Sequence, residues 1–541
     1  MLIRENDGAG AIQQAPPPPK VETAKVQPQT QIAEDGTSKV SALNVTATVV
    51  KTTLNAKADQ LEATRAAQPA APPDPANSVQ AVKDKFYNDG PEAATNELAN
   101  QLRTGDDNFK QEVITRLSKE REFAAIVNAA GGEANDPKDK VSVADRDVVA
   151  KAFGAAYDSG KLSPDTVKNL VDHNAQPGQN LPITTGTFKN EYTANFMLAS
   201  GSKQALRDFT YSTLNAVQNK PEELQHFLRG AAYAMAGDTG LLQDVLKDIG
   251  NGKFGDKITM DSFVDSISRD PLHPDFYQFT PDRTSSLVRV LDAAAKLPFG
   301  EEKLALFAAA AKSEDATHNT TGGADALIRL YNSDAQKITD HYLDESLPKR
   351  NERLKDFSTF FQNTLFNSKA TNKDGLVKSL SNVSDNYKST NDLYHLGNLG
   401  GAVENGFSFA VKANEDRKAA TKDFLDFVIG LTPLPGGVQD IFKKVLGDLP
   451  EKVAEGLSSK ASDSAKDAAL DWLTDQLTKD NKILFWKTGQ EIKSRDDLDD
   501  VIRATFGVPT LADPDPSSQR DNESIIRFEA GLTFARDAVR D

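Results

Sequence analysis

The sequence predicts an all-α, multi-helix chain behind a polar leader, and three observations predict it. After residue 79, apolar residues recur at i, i+3, i+4 and i+7, the spacing of one helix face. Glycine, proline and short polar runs interrupt that pattern at the lengths of ordinary helices. One short run, Ile483-Leu484-Phe485-Trp486, reads as the best strand candidate.

Residues 1–78 are rich in Ala, Pro, Gln, Thr and Lys, with prolines unbroken from Pro16 to Pro19 and clustered again between Pro69 and Pro75. Such a segment cannot bury enough apolar surface to offset its chain entropy and is expected to be disordered. Within it, Val45, Val49, Leu54 and Leu61 keep the spacing of a marginal helix. An N-terminal helical domain is expected over 79–175. Its helices are marked by Val79, Val82 and Phe86, by Ala94, Leu98 and Leu102, and by Phe109, Val113, Ile114 and Leu117 continuing through Phe123 to Val127. A further helix runs from Ala144 to Tyr157, and Ser163-Pro164-Asp165 places proline at the first position of another. His173 to Thr187 reads as a linker.

The central segment, 190–390, shows a looser recurrence. Apolar helix starts follow glycine or polar turns at Leu241, Leu287, Leu327 and Leu376. An irregular helical-repeat array is one reading and an irregular α-helical domain the other, because no signature residue repeats. The C-terminal segment, 391–541, opens with a helix carrying Leu396, Leu399, Val403 and Phe407. Its Gly397, Gly400 and Gly401 can admit another backbone. The clearest amphipathic pattern follows. Phe424, Phe427, Val428 and Leu431 share one face, Thr432 to Gly437 break the chain, and Val438, Ile441, Phe442 and Val445 resume the period. This is a helical hairpin with one apolar seam. Burying its eight side chains at ~2 kcal/mol each amounts to an upper bound on the order of 15 kcal/mol, so the seam must dock on something. Each arm is only ~20 Å long against a ~30 Å hydrocarbon core, and Lys422, Asp423, Asp426, Asp440, Lys443 and Lys444 interrupt it; docking on the same chain is expected. Ser464-x-x-Asp467 reads as a capping box, Ala469, Trp472, Leu473 and Leu477 as a core stripe, Gly507 to Asp521 as a loop, and Ile525 to Val539 as a final helix.

Composition removes several function classes. A net charge of −16 without a basic stripe argues against nucleic acid, which needs clustered Lys and Arg. With no cysteine, thiolate catalysis, Cys-ligated zinc and disulfides drop out. The opening residues lack the apolar core of a cleavable signal, and no apolar run reaches membrane-spanning length.

Motifs that carry chemistry are sparse. His341 and Glu345 lie four apart with Asp340 and Asp344 beside them, but no HExxH or third ligand follows, and a solvated polar face is expected. Gly406-Phe407-Ser408-Phe409-Ala410, with His395 upstream, approaches a nucleophile elbow but lies in a helical pattern and ends in Ala. Asn372-Lys373-Asp374-Gly375 resembles the middle of an EF-hand loop, yet Ala370 and Ser381 stand where calcium needs carboxylates. Glu120-Arg121-Glu122 is expected at the surface, and His173, His226, His273 and His318 show no ligand spacing. No cofactor and no metal is expected.

The stretch LGGAVENGFSFAVKANEDRKAATKDFLDFVIGLTPLPGGVQDIFKKVL resembles the helical hairpin region ahead of the C-terminal module in bacterial secreted polymorphic toxins and effectors. It shares their small-residue helix, a charged break at Asp416-Arg417-Lys418-Ala419, and an apolar hairpin joined by a Pro/Gly turn. The residues after it hold no nuclease, protease or transferase motif. The resemblance implies a secreted effector or toxin-like protein that acts through helical protein-binding surfaces. Its expected partners are a protein of a host or target cell and, for the leader, a secretion chaperone or apparatus. Expected export is by a specialised system without a cleaved signal; a cytoplasmic protein is the alternative. The runner-up functions are an enzyme whose site gathers sequence-distant residues and a membrane-active protein that inserts the 421–446 hairpin.

Overall fold

Asp74 is the first described residue. Its carboxylate accepts the Ala76 N–H, and Pro75, with φ already fixed near helical values, takes the first position of the first helix. That helix therefore starts four residues ahead of the expected boundary. The computed structural model describes residues 74–539 apart from 133–140, 177–188, 269–283, 414–416, 432–438, 440–441, 444–447, 459–460, 480–500, 504 and 509–518. Every regular element among the described residues is helical, as the periodicity predicts. The leader with its Val45–Leu61 helix, the Ile483–Trp486 strand, the Pro/Gly turn of the hairpin, and most of the 173–187 and 507–521 connections lie outside the described residues.

The first segment holds α1 (Pro75–Asp89), α2 (Pro91–Thr104), α3 (Asp107–Leu117), α4 (Phe123–Gly131), α5 (Val143–Asp158) and α6 (Pro164–Asn174). The expected continuation of α3 into α4 is broken. Residues 118–122 turn, and the two helices are separate. Next come α7 (Lys189–Ser200), α8 (Lys203–Asn219), α9 (Leu228–Met235), α10 (Thr239–Gly250), α11 (Met260–Ser268), α12 (Ser286–Ala294), α13 (Glu301–Lys312), α14 (Gly323–Ser333), α15 (Ala335–Leu343), α16 (Arg350–Asn363) and α17 (Lys373–Ser389). The last segment holds α18 (Leu393–Lys412), α19 (Arg417–Leu431), α20 (Glu451–Gly456), α21 (Asp463–Lys479) and α22 (Gln519–Asp537).

These helices pack in two rows. In one, α4, α7, α9, α12, α14, α17, α19 and α21 each touch the next; in the other, α11, α13, α16, α18 and α22 do so. The recurring apolar starts at Leu241, Leu287, Leu327 and Leu376 belong to α10, α12, α14 and α17, which contact one another in that order. Each start buries its leucine. Polar pairs at the rim tie neighbours together: Arg207 to Asp244 at 2.7 Å, Tyr211 to Asp248 at 2.6 Å and Arg329 to Asp292 at 2.7 Å.

Two features set the position of α15 and α18, which the site needs. Beneath α15, Phe307, Tyr331, Tyr342, Phe357, Phe360 and Phe361 pack ring against ring, with Phe307 and Phe360 centroids 4.9 Å apart and Tyr342 stacked on Phe357 at 5.1 Å. Lys303 is fully buried there. Its ammonium donates to Asp334 Oδ2 at 2.6 Å and to the carbonyls of Ala295 and Leu297, binding the end of α12 to the α14–α15 junction. Helix α18 is buried on nearly every side, and its glycines are the reason it can be. A Cβ on Gly397 would stand 2.0 Å from the Phe528 carbonyl oxygen of α22, and one on Gly406 would stand 2.7 Å from that of Ser358 in α16. Across the same interface Glu404 and Arg536 form a two-pronged ion pair with both side chains buried.

Candidate functional site

The apolar seam is interior where it is described. Phe424, Phe427, Val428, Leu431 and Phe442 are all buried, whereas Val438, Ile441 and Val445 lie outside the described residues. The Phe424 ring stacks on Phe407 of α18 at 4.5 Å, and Phe427 meets the ring of Phe506 edge-on at 6.3 Å. Charges on α19 pair with the neighbouring helices: Lys422 with Asp471 of α21 at 2.7 Å, and Asp423 with Lys373 of α17 at 2.6 Å. No described helix is long and apolar enough to cross a membrane.

Several motif readings resolve into helix geometry. Asn372-Lys373-Asp374-Gly375 is the start of α17, where Asp325 accepts the backbone N–H groups of Thr371 and Asn372. Gly406 to Ala410 lies inside α18, with Ser408 buried and no strand before it. The capping box is displaced, since the Ala465 N–H donates to Ser462 rather than Ser464. Glu122 departs from the surface expectation. It is buried, and one carboxylate oxygen, Oε1, accepts from both the Tyr87 hydroxyl and the Arg121 guanidinium, while Oε2 has no hydrogen-bond partner.

What the fold assembles instead is a polar cleft of about 660 Å³. Helix α15 supplies Gln336, Lys337, Asp340 and His341, the following link Asp344 and Leu347, the end of α17 Asn386, Tyr387 and Thr390, and the start of α18 Asp392 and His395; Phe299 closes one side. Glu345, read beside His341 in the sequence, is exposed and turns to Arg350 at 3.1 Å. Among the described residues no three His, Asp or Glu side chains are grouped to hold a metal ion.

The link between α17 and α18 sets the cleft's geometry. Asn391 takes the left-handed conformation, φ +58°, which Asn tolerates better than most side chains. The Asp392 N–H then reaches back to the Tyr387 carbonyl at 2.8 Å and the Asn391 N–H to that of Lys388 at 3.1 Å, the bonds of a Schellman ending. Asp392 immediately caps α18, accepting the His395 N–H at 3.3 Å, and its other oxygen lies 2.7 Å from His395 Nδ1. The His395 ring lies against Tyr387, with centroids 6.0 Å apart and planes 24° from parallel. Tyr387 in turn donates to Asp340 Oδ1 at 2.7 Å, an acceptor shared with the Gln336 amide at 2.8 Å.

Titration is set by the same contacts. Burial and the Asp340 carboxylate push the Tyr387 hydroxyl far above its ordinary range, so it remains a donor. Burial, assisted by the Arg353 charge, pulls His341 below the ordinary histidine range despite Asp344. The Ser346 hydroxyl and N–H hold Asp344 below the ordinary carboxylate range. Pairing Asp392 with His395 was missed in the sequence. The available signal was Thr390-Asn391-Asp392 as a stop followed by a cap, with His395 in the first turn. No family model, no curated protein and no solved structure matches the chain.

Proposed function

We propose that the protein is a secreted bacterial effector of toxin-like type that works by binding a protein of a host or target cell. One observation carries this reading over its membrane-active rival. The described arm of the apolar hairpin is used up in packing, and the large apolar side chains left in solvent among the described residues are only Tyr87, Val143 and Ile526. These lie apart in sequence on α1, α5 and α22 and offer no inserting face. The exterior is then a helical surface of acidic balance, with a net charge of −16, suited to a partner presenting basic residues. The secretion route rests on the leader composition and the hairpin resemblance.

Affinity capture tests the reading. The full chain, immobilised, should retain a small set of proteins from host or target-cell extract and release them as salt rises, as expected for steering between opposite charges. Capture no better than with bare resin would remove the binding reading. Leakage of liposomes that depends on Phe427, abolished by Phe427→Asp, would replace it with the membrane-active one.

A further inference from the structure

We propose that His395 is a general base facing the cleft, positioned by Asp392, and that the cleft hydrolyses carboxylic esters carrying a cationic group. This activity goes beyond protein binding and does not depend on it.

The geometry of the pair carries the argument. A carboxylate oxygen 2.7 Å from His395 Nδ1 accepts that nitrogen's proton, which assigns the lone pair to Nε2. The ring is fixed at its edge by Asp392 and on its face by Tyr387, itself anchored on Asp340. Asp392 is fixed as well, because it both ends the turn after α17 and caps α18. The imidazole is neither exposed nor sealed, with 28% of its side chain accessible, and it lines an opening of about 660 Å³. An oriented imidazole with one free nitrogen in a ligand-sized opening is the arrangement general-base catalysis requires.

The charges around it select the substrate class. Asp340, Asp344 and Asp392 line the cleft against one ammonium, Lys337, so a cation is drawn in. Asn386 lines the same cleft and brings amide N–H donors for an oxyanion. In the step proposed, a water loses a proton to His395 Nε2 as its oxygen bonds to the ester carbonyl carbon and the carbonyl electrons move onto oxygen. Collapse of that tetrahedral species breaks the bond to the alcohol oxygen, which takes the proton back from His395. Acid and alcohol leave, the imidazole is neutral again, and no oxidant or cofactor is consumed.

The test uses the purified full chain, acid release from acetylcholine and from uncharged ethyl acetate, and ¹⁵N NMR of the histidine rings. Acetylcholine should be cleaved faster than ethyl acetate, and His395→Gln should lower the rate on the order of 100-fold or more. Asp392→Asn separates catalysis from folding. Asn caps a helix as well as Asp, so the melting curve should hold. Its amide can donate to Nδ1, which drives the ring proton to Nε2 and removes the base, as the corresponding exchange does in serine proteases. Wild type should therefore show the Nδ1–H tautomer and Asp392→Asn the Nε2–H tautomer with turnover lost. A wild-type rate equal to that of His395→Gln, or an Nε2–H tautomer in the wild type, overturns the general base. Equal rates on the two esters overturn the cationic substrate class.

Discussion

The clasp of α22 on α18 and the row of helices α8, α10, α12 and α14 are both tied by ion pairs, and the pairs behave differently. In the clasp, Glu404 and Arg536 stand 132 residues apart in sequence, both excluded from water, where glycines let the two backbones touch. In the row, Arg207–Asp244 and Arg329–Asp292 join helices 37 residues apart, and all four side chains are at least 41% accessible. Charge in the first region is committed to a fixed geometry, since losing one partner strands the other in a medium that cannot solvate it. In the second, water takes over whatever a mutation removes. The same contact type is structural in one place and marginal in the other, and burial decides which.

The strongest challenge to that contrast is Arg536→Ala, which should cost about 3–5 kcal/mol in urea unfolding by leaving the buried Glu404 carboxylate without its guanidinium. Replacing both residues by Met should recover most of it. A loss as small as that of a rim pair would mean that water reaches the clasp. Next in size is Gly531→Ala, whose Cβ would lie 2.1 Å from the Tyr394 carbonyl oxygen and 2.9 Å from the Asn398 nitrogen. Backbone cannot move aside as a side-chain tip can, so about 2–3 kcal/mol should be lost. Gly250→Ala, in α10 of the row with nothing within 4 Å, should instead be neutral or stabilise by up to about 1 kcal/mol.

The cleft lined by α15, α17 and α18 supplies a pH test. Because burial keeps His341 below its ordinary value, 6.5, the unfolded chain takes up that proton first. Stability from this group is present above about pH 6.5 and lost as the pH falls through that value toward the lower folded one. His341→Gln should flatten that part of the urea-midpoint curve, and an unchanged slope would refute the burial argument. The smallest effect is expected of Arg329→Ala, less than about 1 kcal/mol and diminished further by salt. A larger loss would show that the rim pairs hold the row together.

Legibility followed sequence distance. Helix α2 was readable from Ala94, Leu98 and Leu102, all buried, because one helix face obeys a short period. The close-approach role of Gly397 and Gly401 was readable too, since a small-residue stripe on an apolar helix has few other uses; the helix that would approach was not. The break between α3 and α4 was missed because apolar residues on both sides keep a helical period while the turn between them is local. In the cleft, Asp340, His341 and Asp344 were grouped by their spacing at the end of α15 and just beyond it, but Tyr387, Asp392 and His395 come from elements some fifty residues later. Glu122 was misplaced because its burial depends on Tyr87, 35 residues earlier.

The sequence by itself determined that this chain is built of helices, where most of them begin, and that its most apolar face must be covered, because periodicity, caps and transfer free energy are local properties. Only the tertiary structure decided what covers that face, that Glu404 meets Arg536, and that three separate helix ends bring two histidines and three aspartates to one cleft. Those outcomes depend on which surfaces fit when brought together, and complementarity between distant segments leaves no periodic trace in the chain.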